Sequence, residues 1–223
     1  VLTDTVFLVD VDNTLLDNDR FAVDLSERLE QLFGTEARKR YWELFEGLRD
    51  KFEVADYLGS LQAFRSGLDD DPHLLAMSQF LLEYQFADLL FPQALAALRH
   101  LRSLGRTVIL SDGDIVFQPR KIQHAGIWDA VDGAVLIYVH KEKVMDHVVA
   151  RYPAAHYVVL DDKPKLLAAM KSKLGKRLTT VFVRQGHYAL AAGSNSVQPS
   201  PDRVIERIGE ILTLNSSDFE VRI

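Results

Sequence analysis

Five short apolar runs recur along the chain, at residues 5–10 (TVFLVD), 107–111 (TVILS), 134–138 (AVLIY), 156–161 (HYVVLD) and 179–183 (TTVFV). All are rich in β-branched residues, and the first, second and fourth end in Asp or Ser. Runs of this length and composition read as buried strands with a polar residue at the carboxyl edge. Helical patterns separate them. Residues 92–104 place Leu95, Leu98, Leu101 and Leu104 on one face, with Pro92 at the start and Gly105 just past the end. Residues 141–152 and 164–174 suit helices, the latter closed by Gly175, and 201–212 repeats apolar Val204, Ile205, Ile208, Ile211 and Leu212. Strands alternating with helices predict an α/β fold: a mostly parallel sheet with helices on both faces.

The alternation breaks once. From about residue 17 to 90 there is no convincing strand, only amphipathic stretches at 21–33, 35–52 and 72–90. This predicts a helical cap domain, 17–90, inserted after the first strand and closing over the edge of an α/β core made of 1–16 and 91–223. Residues 191–200 read as a small polar loop. At 223 residues and 48% hydrophobic, the chain can bury one core plus a small appended domain.

Composition narrows the partners. Net charge is −6, and basic residues are interspersed with acidic ones except at Arg38-Lys39-Arg40, which reads as a solvated helix face, so no nucleic acid is expected. No apolar stretch approaches a bilayer span, and Val1-Leu2-Thr3-Asp4 does not open a signal peptide, so no membrane partner is expected. There is no cysteine, which excludes disulfides and thiolate metal sites and fits a cytoplasmic protein. Oligomeric state is not readable.

Four elements carry chemistry, each following or ending an apolar run. Asp10-Val11-Asp12-Asn13-Thr14 follows the first strand; its two carboxylates can face the crevice beyond the strand's carboxyl end, where open α/β sheets bind ligands. The bland alternative is an acidic turn. In Ser111-Asp112-Gly113 the Ser111 hydroxyl and the backbone N–H groups through Asp112 are candidates to hold a phosphate. Lys141 follows the third run and offers a fixed ammonium; Lys143 is a substitute. Asp161-Asp162 ends the fourth run and suits a hard divalent cation, although Asp162 could instead cap the helix that begins at Pro164. Parallel strands would bring all four to one edge of the sheet.

In this order the motifs resemble those of the haloacid dehalogenase superfamily: an apolar strand with Asp-x-Asp-x-Thr, a strand ending in Ser or Thr, a lysine, and a strand ending in one or two acids. The resemblance spans residues 5–16 and 90–214, and the insert matches in position and helical character. Leu160 stands where many members have Gly, Asp112 where many have Asn, and no Pro follows Lys141. The resemblance implies a Rossmann-like core and a hydrolase using Mg2+. Asp10 would attack phosphorus to give an aspartyl-phosphate, and Asp12 would serve as acid, then base. Magnesium would be held by the Asp10 carboxylate, the Asp12 backbone carbonyl and Asp161, with Asp162 near by. Ser111 and Lys141 would bind the transferred phosphoryl group. Halide leaves without protonation whereas an alkoxide does not, so Asp12 points to a phosphatase acting on a small phosphorylated metabolite rather than to a dehalogenase. The alternatives are a sugar phosphomutase on the same scaffold and a non-catalytic phosphate- or protein-binding member.

Overall fold

The computed structural model describes residues 3–68, 70–191 and 197–219. Six parallel strands, β1 (Thr3–Val9), β2 (Arg106–Asp112), β3 (Val135–Tyr138), β4 (Ala154–Asp161), β5 (Leu178–Val183) and β6 (Arg203–Ile205), form one sheet in the order β3-β2-β1-β4-β5-β6. Strand side chains alternate between the two faces. Phe7 and Val9 of β1 therefore join one apolar cluster, and Val6 and Leu8 join another on the opposite face.

Four helices, α1 (Asn18–Phe33), α2 (Thr35–Phe52), α3 (Tyr57–Phe64) and α4 (His73–Glu83), and a 3-10 helix at Phe86–Leu89 occupy the first and longer part of the described chain between β1 and β2. Asp17 caps α1 by accepting a hydrogen bond from the Arg20 N–H, and Asp56 caps α3 through the Gly59 N–H at 2.7 Å. The two ends of this helical segment meet. Leu16 and Leu90 form an antiparallel bridge, and the Asp17 and Phe91 N–H groups donate to Leu89 and Leu15 carbonyls. The segment's apolar residues, among them Phe21, Tyr41 and Met77, belong to the same cluster as Phe7 and Val9.

After β2's predecessor α5 (Ala94–Leu104), the remaining helices are α6 (Phe117–His124), α7 (Ile127–Ala130), α8 (Met145–Arg151), α9 (Pro164–Leu174) and α10 (Gly186–Ala191). Three expectations need correction. Residues 201–212 are not a helix: Arg203–Ile205 form β6, paired with β5 in the register Val181↔Arg203 to Val183↔Ile205, followed by a 3-10 helix at Ile208–Thr213. The open edge of β5 offers ladder hydrogen bonds, and Asp202 locks the entry by accepting from the Thr180 N–H at 2.8 Å and Thr180 Oγ1 at 2.9 Å. Helix 141–152 begins only at Met145, because residues 140–144 form turns. The stretch 72–90 is α4 plus the short 3-10 helix, broken at Tyr84-Gln85. Part of the polar loop read at 191–200 lies outside the described residues. No described helix is long and apolar enough to cross a membrane.

Candidate active site

Parallel pairing sets the site. β1 lies between β2 and β4 with Val9 opposite Ile109 on one side and Leu160 on the other. Asp10, Ser111, Asp112, Asp161 and Asp162 therefore gather at one sheet edge, around the point where the strand order switches direction. The Asp10 N–H still donates to Leu160 O at 3.0 Å, and beyond it the chain turns back on Val11, whose carbonyl accepts from Leu15 and Leu16. Asn13 takes the left-handed conformation at φ 61°, which Asn tolerates better than most residues.

Asp10 is buried, and Thr14 Oγ1 donates to its Oδ2 at 3.2 Å. The Lys141 ammonium donates to Asp10 Oδ1, lies 2.7 Å from Asp161 Oδ2 and donates to Leu110 O at 3.3 Å. The Lys141 backbone N–H donates to Asp112 Oδ1 at 2.9 Å, which fixes the turn carrying the lysine. Lys143 is exposed, so Lys141 is the lysine that faces inward. Ser111 Oγ accepts from Gln118 Nε2 at 2.9 Å.

Carboxylate oxygens of Asp10, Asp161 and Asp162 lie within 4.8 Å of one another, and all three residues are buried. Asp161 Oδ1 accepts from the Lys163 N–H at 2.8 Å and Asp161 Oδ2 is ion-paired with Lys141, whereas neither oxygen of Asp162 accepts a hydrogen bond among the described residues. Asp162 therefore does not cap α9. Buried carboxylate oxygens left unsatisfied are costly, and an all-oxygen cluster of this kind suits a hard divalent cation. The carboxylate of Asp12 stands apart from the three: Oδ1 pairs with Lys121 Nζ at 2.9 Å and Oδ2 accepts from Gln118 Nε2 at 3.2 Å. A cleft of about 390 Å³ lies before these groups, walled among others by Asp12, Asn18, Arg49, Tyr57, Lys163 and Tyr188. A larger open groove of about 930 Å³ between α1 and α4 holds none of the motif residues.

Residues 5–183 match the family described as haloacid dehalogenase-like hydrolase. The chain belongs to that family. A haloacid dehalogenase-like hydrolase from Burkholderia xenovorans is 54% identical to it, with 96% of this chain and 97% of that one covered and a TM-score of 0.87. Two more distant structures share the fold: L-2-haloacid dehalogenase from Xanthobacter autotrophicus with chloropropionic acid covalently bound (18% identity, 94% and 97% covered, TM-score 0.60) and the hydrolase YfnB from Bacillus subtilis bound to magnesium (16% identity, 94% and 99% covered, TM-score 0.59). A search of the curated proteins gave no match.

In this haloacid dehalogenase-like hydrolase, burial dominates the electrostatics of the cluster. It pushes Asp10 up to about 7 against the pull of Lys141, with Asp161 adding to the rise. Burial likewise pushes Asp162 up to about 9, helped by Asp161 and Asp10, and raises Asp112. Burial opposes the charge on Lys141, but Asp10, Asp161 and Asp112 outweigh it and raise its value. Lys163 is raised in the same way, chiefly by Asp10 against the cost of burial. When all are ionised, Asp10, Asp112, Asp161 and Asp162 outnumber the Lys141 and Lys163 ammonium groups, and a divalent cation would offset that excess and favour the ionised carboxylates.

Lys121, Gln118, Asn18 and Lys163 are site neighbours that the sequence reading did not single out. Lys163 carries a signal, since it directly follows Asp161-Asp162. Lys121 and Gln118 carry none, because the short helix α6 has no distinctive apolar period and nothing in a sequence distinguishes a buried lysine from a solvated one.

Proposed function

We propose that this hydrolase is a magnesium-dependent phosphomonoesterase acting on a small phosphorylated metabolite. The observation that carries the reading is the buried trio Asp10, Asp161 and Asp162, with both oxygens of Asp162 unsatisfied and Asp161 Oδ2 paired with the Lys141 ammonium. Magnesium would be held by those carboxylates and the Asp12 backbone carbonyl, and it would neutralise phosphoryl charge. Asp10, oriented by Thr14, attacks phosphorus in line, and the bond to the leaving oxygen breaks. Asp12 gives that oxygen a proton, then takes one from the water that cleaves the aspartyl-phosphate. Ser111, the backbone at Asp112 and the Lys141 ammonium bind the phosphoryl oxygens. The helical segment 17–90 acts as the cap: Arg49 and Tyr57 face the cleft from it, where they would meet the leaving group.

The test is phosphate release from a panel of sugar, nucleotide and short-chain phosphate esters, with and without magnesium, using Asp10→Asn as a blank. The expected result is magnesium-dependent turnover that the blank lowers by at least about 10³-fold. Absence of turnover in protein that binds magnesium would end the reading. Metal-independent halide release from 2-chloropropionate would replace it with dehalogenation, and isomer formation without free phosphate would replace it with mutase activity.

A further inference from the structure

Lys121 has no part in the steps above, yet it is 1% exposed and its Nζ lies 2.9 Å from both Asp12 Oδ1 and Asn18 Oδ1. The rings of Phe21, Tyr57, Phe86 and Phe117 surround the ammonium at 5.7–5.9 Å. They come from α1, α3, the 3-10 helix at Phe86–Leu89 and α6. A lysine so enclosed loses its hydration, and the ion pair and ring faces only partly offset that loss. A position that needed only volume would be better filled by Leu or Met. Lys121 does not line the cleft, which argues against direct contact with substrate.

Three residues earlier on α6, Gln118 donates to the other oxygen of Asp12 and to Ser111 Oγ. One helix face therefore grips both oxygens of a single carboxyl group. We propose that Lys121 is a positioning residue for Asp12, holding the carboxyl group at the cleft, with Asn18 and the aromatic sleeve making that placement depend on the packing of segment 17–90 against α6. This rests on Asp12 being the group that protonates the leaving oxygen. When the phosphorus–oxygen bond breaks, the proton moves from the Asp12 carboxyl to that oxygen, and the need for it grows with the oxygen's basicity. Nitrophenolate leaves with little help; an alkoxide does not.

The test is Lys121→Met in the full chain, which keeps the sleeve filled with an unbranched side chain. It is assayed with magnesium on an alkyl phosphate and on para-nitrophenyl phosphate. On the alkyl ester kcat/KM, which reports phosphoryl transfer to Asp10 and not the later hydrolysis common to both esters, is expected to fall about 100-fold, while on the aryl ester kcat/KM falls less than about tenfold. In an Asp12→Asn background the same substitution should add no further loss. Comparing two esters on one sample cancels any difference in folded fraction. Equal losses on both esters, or losses that multiply those of Asp12→Asn, overturn the proposal. If Lys121→Met does not fold, Asn18→Ala, which frees the ammonium from its second anchor, must show the same bias toward the alkyl ester, and an unbiased loss overturns it. A parent enzyme that hydrolyses neither ester sinks the phosphatase reading and the inference together.

Discussion

At the scale of single residues, Asp162 shows how a site can oppose the stability of the protein that carries it. Its carboxylate is buried without a hydrogen-bond partner and is pushed up to about 9, while Asp10 is pushed up to about 7. Both values are raised on folding, so between the ordinary carboxylate range and these values the folded protein binds more protons than the unfolded chain. The cluster's contribution to stability is therefore fully present below about pH 4 and is lost as pH rises through about 7 and then about 9. Asp162→Asn removes the upper part of that loss. In metal-free protein at pH 8 it is expected to raise the melting temperature by about 2–6 °C in scanning calorimetry, and to weaken magnesium binding at least about tenfold by titration calorimetry. A variant no more stable than the parent at pH 8 would mean that the buried carboxylate carries no such cost.

At the scale of elements, the loop after β1 depends on α10. Gly186 has φ +73°, and a Cβ there would lie 2.4 Å from Asn13 Cβ. Asn13 in turn accepts from the Asn18 N–H at 3.0 Å and the Asp19 N–H at 3.2 Å, which ties the Asp10–Asp12 turn to the start of α1. Gly186→Ala is expected to cost about 2–3 kcal/mol, read as a lower urea midpoint with an unchanged slope, because both the backbone conformation and the contact are violated. Helix α2 matches the stretch read at 35–52, since local amphipathicity and the glycine before it suffice to set its bounds. β6 is hidden from a local pattern for the opposite reason: Val204 and Ile205 fit a helical period and a strand equally well, and pairing with the edge of β5, which no local pattern reveals, selects the strand.

At the scale of the whole molecule, the helical segment and one face of the sheet share a continuous apolar cluster, with Phe21, Phe86 and Phe117 in mutual contact across the junction. The two tryptophans report on its two sides, Trp42 from α2 and Trp128 from α7. In Trp42→Phe and Trp128→Phe variants, the remaining fluorescence is expected to follow the same urea midpoint within about 0.3 M, as one cooperative unit requires. A midpoint for Trp42 well below that for Trp128 would show the segment melting on its own. Phe86→Ala opens a cavity at the junction and should cost about 3–5 kcal/mol while moving both reporters together.

The alternation of strands and helices, and the position of Asp10, Ser111, Asp112, Asp161 and Asp162 at strand ends, are written in the chain's local pattern, because hydrophobic period and strand polarity are local properties. Lys141 was legible only through the company it kept, and the structure points it inward where Lys143 points out. Folding sets which carboxylate oxygens lack hydrogen-bond partners, and it brings Lys121 and Gln118 onto Asp12. Those facts depend on desolvation and on contacts between residues more than 100 positions apart, such as Asp12 and Lys121, which no window along the chain contains.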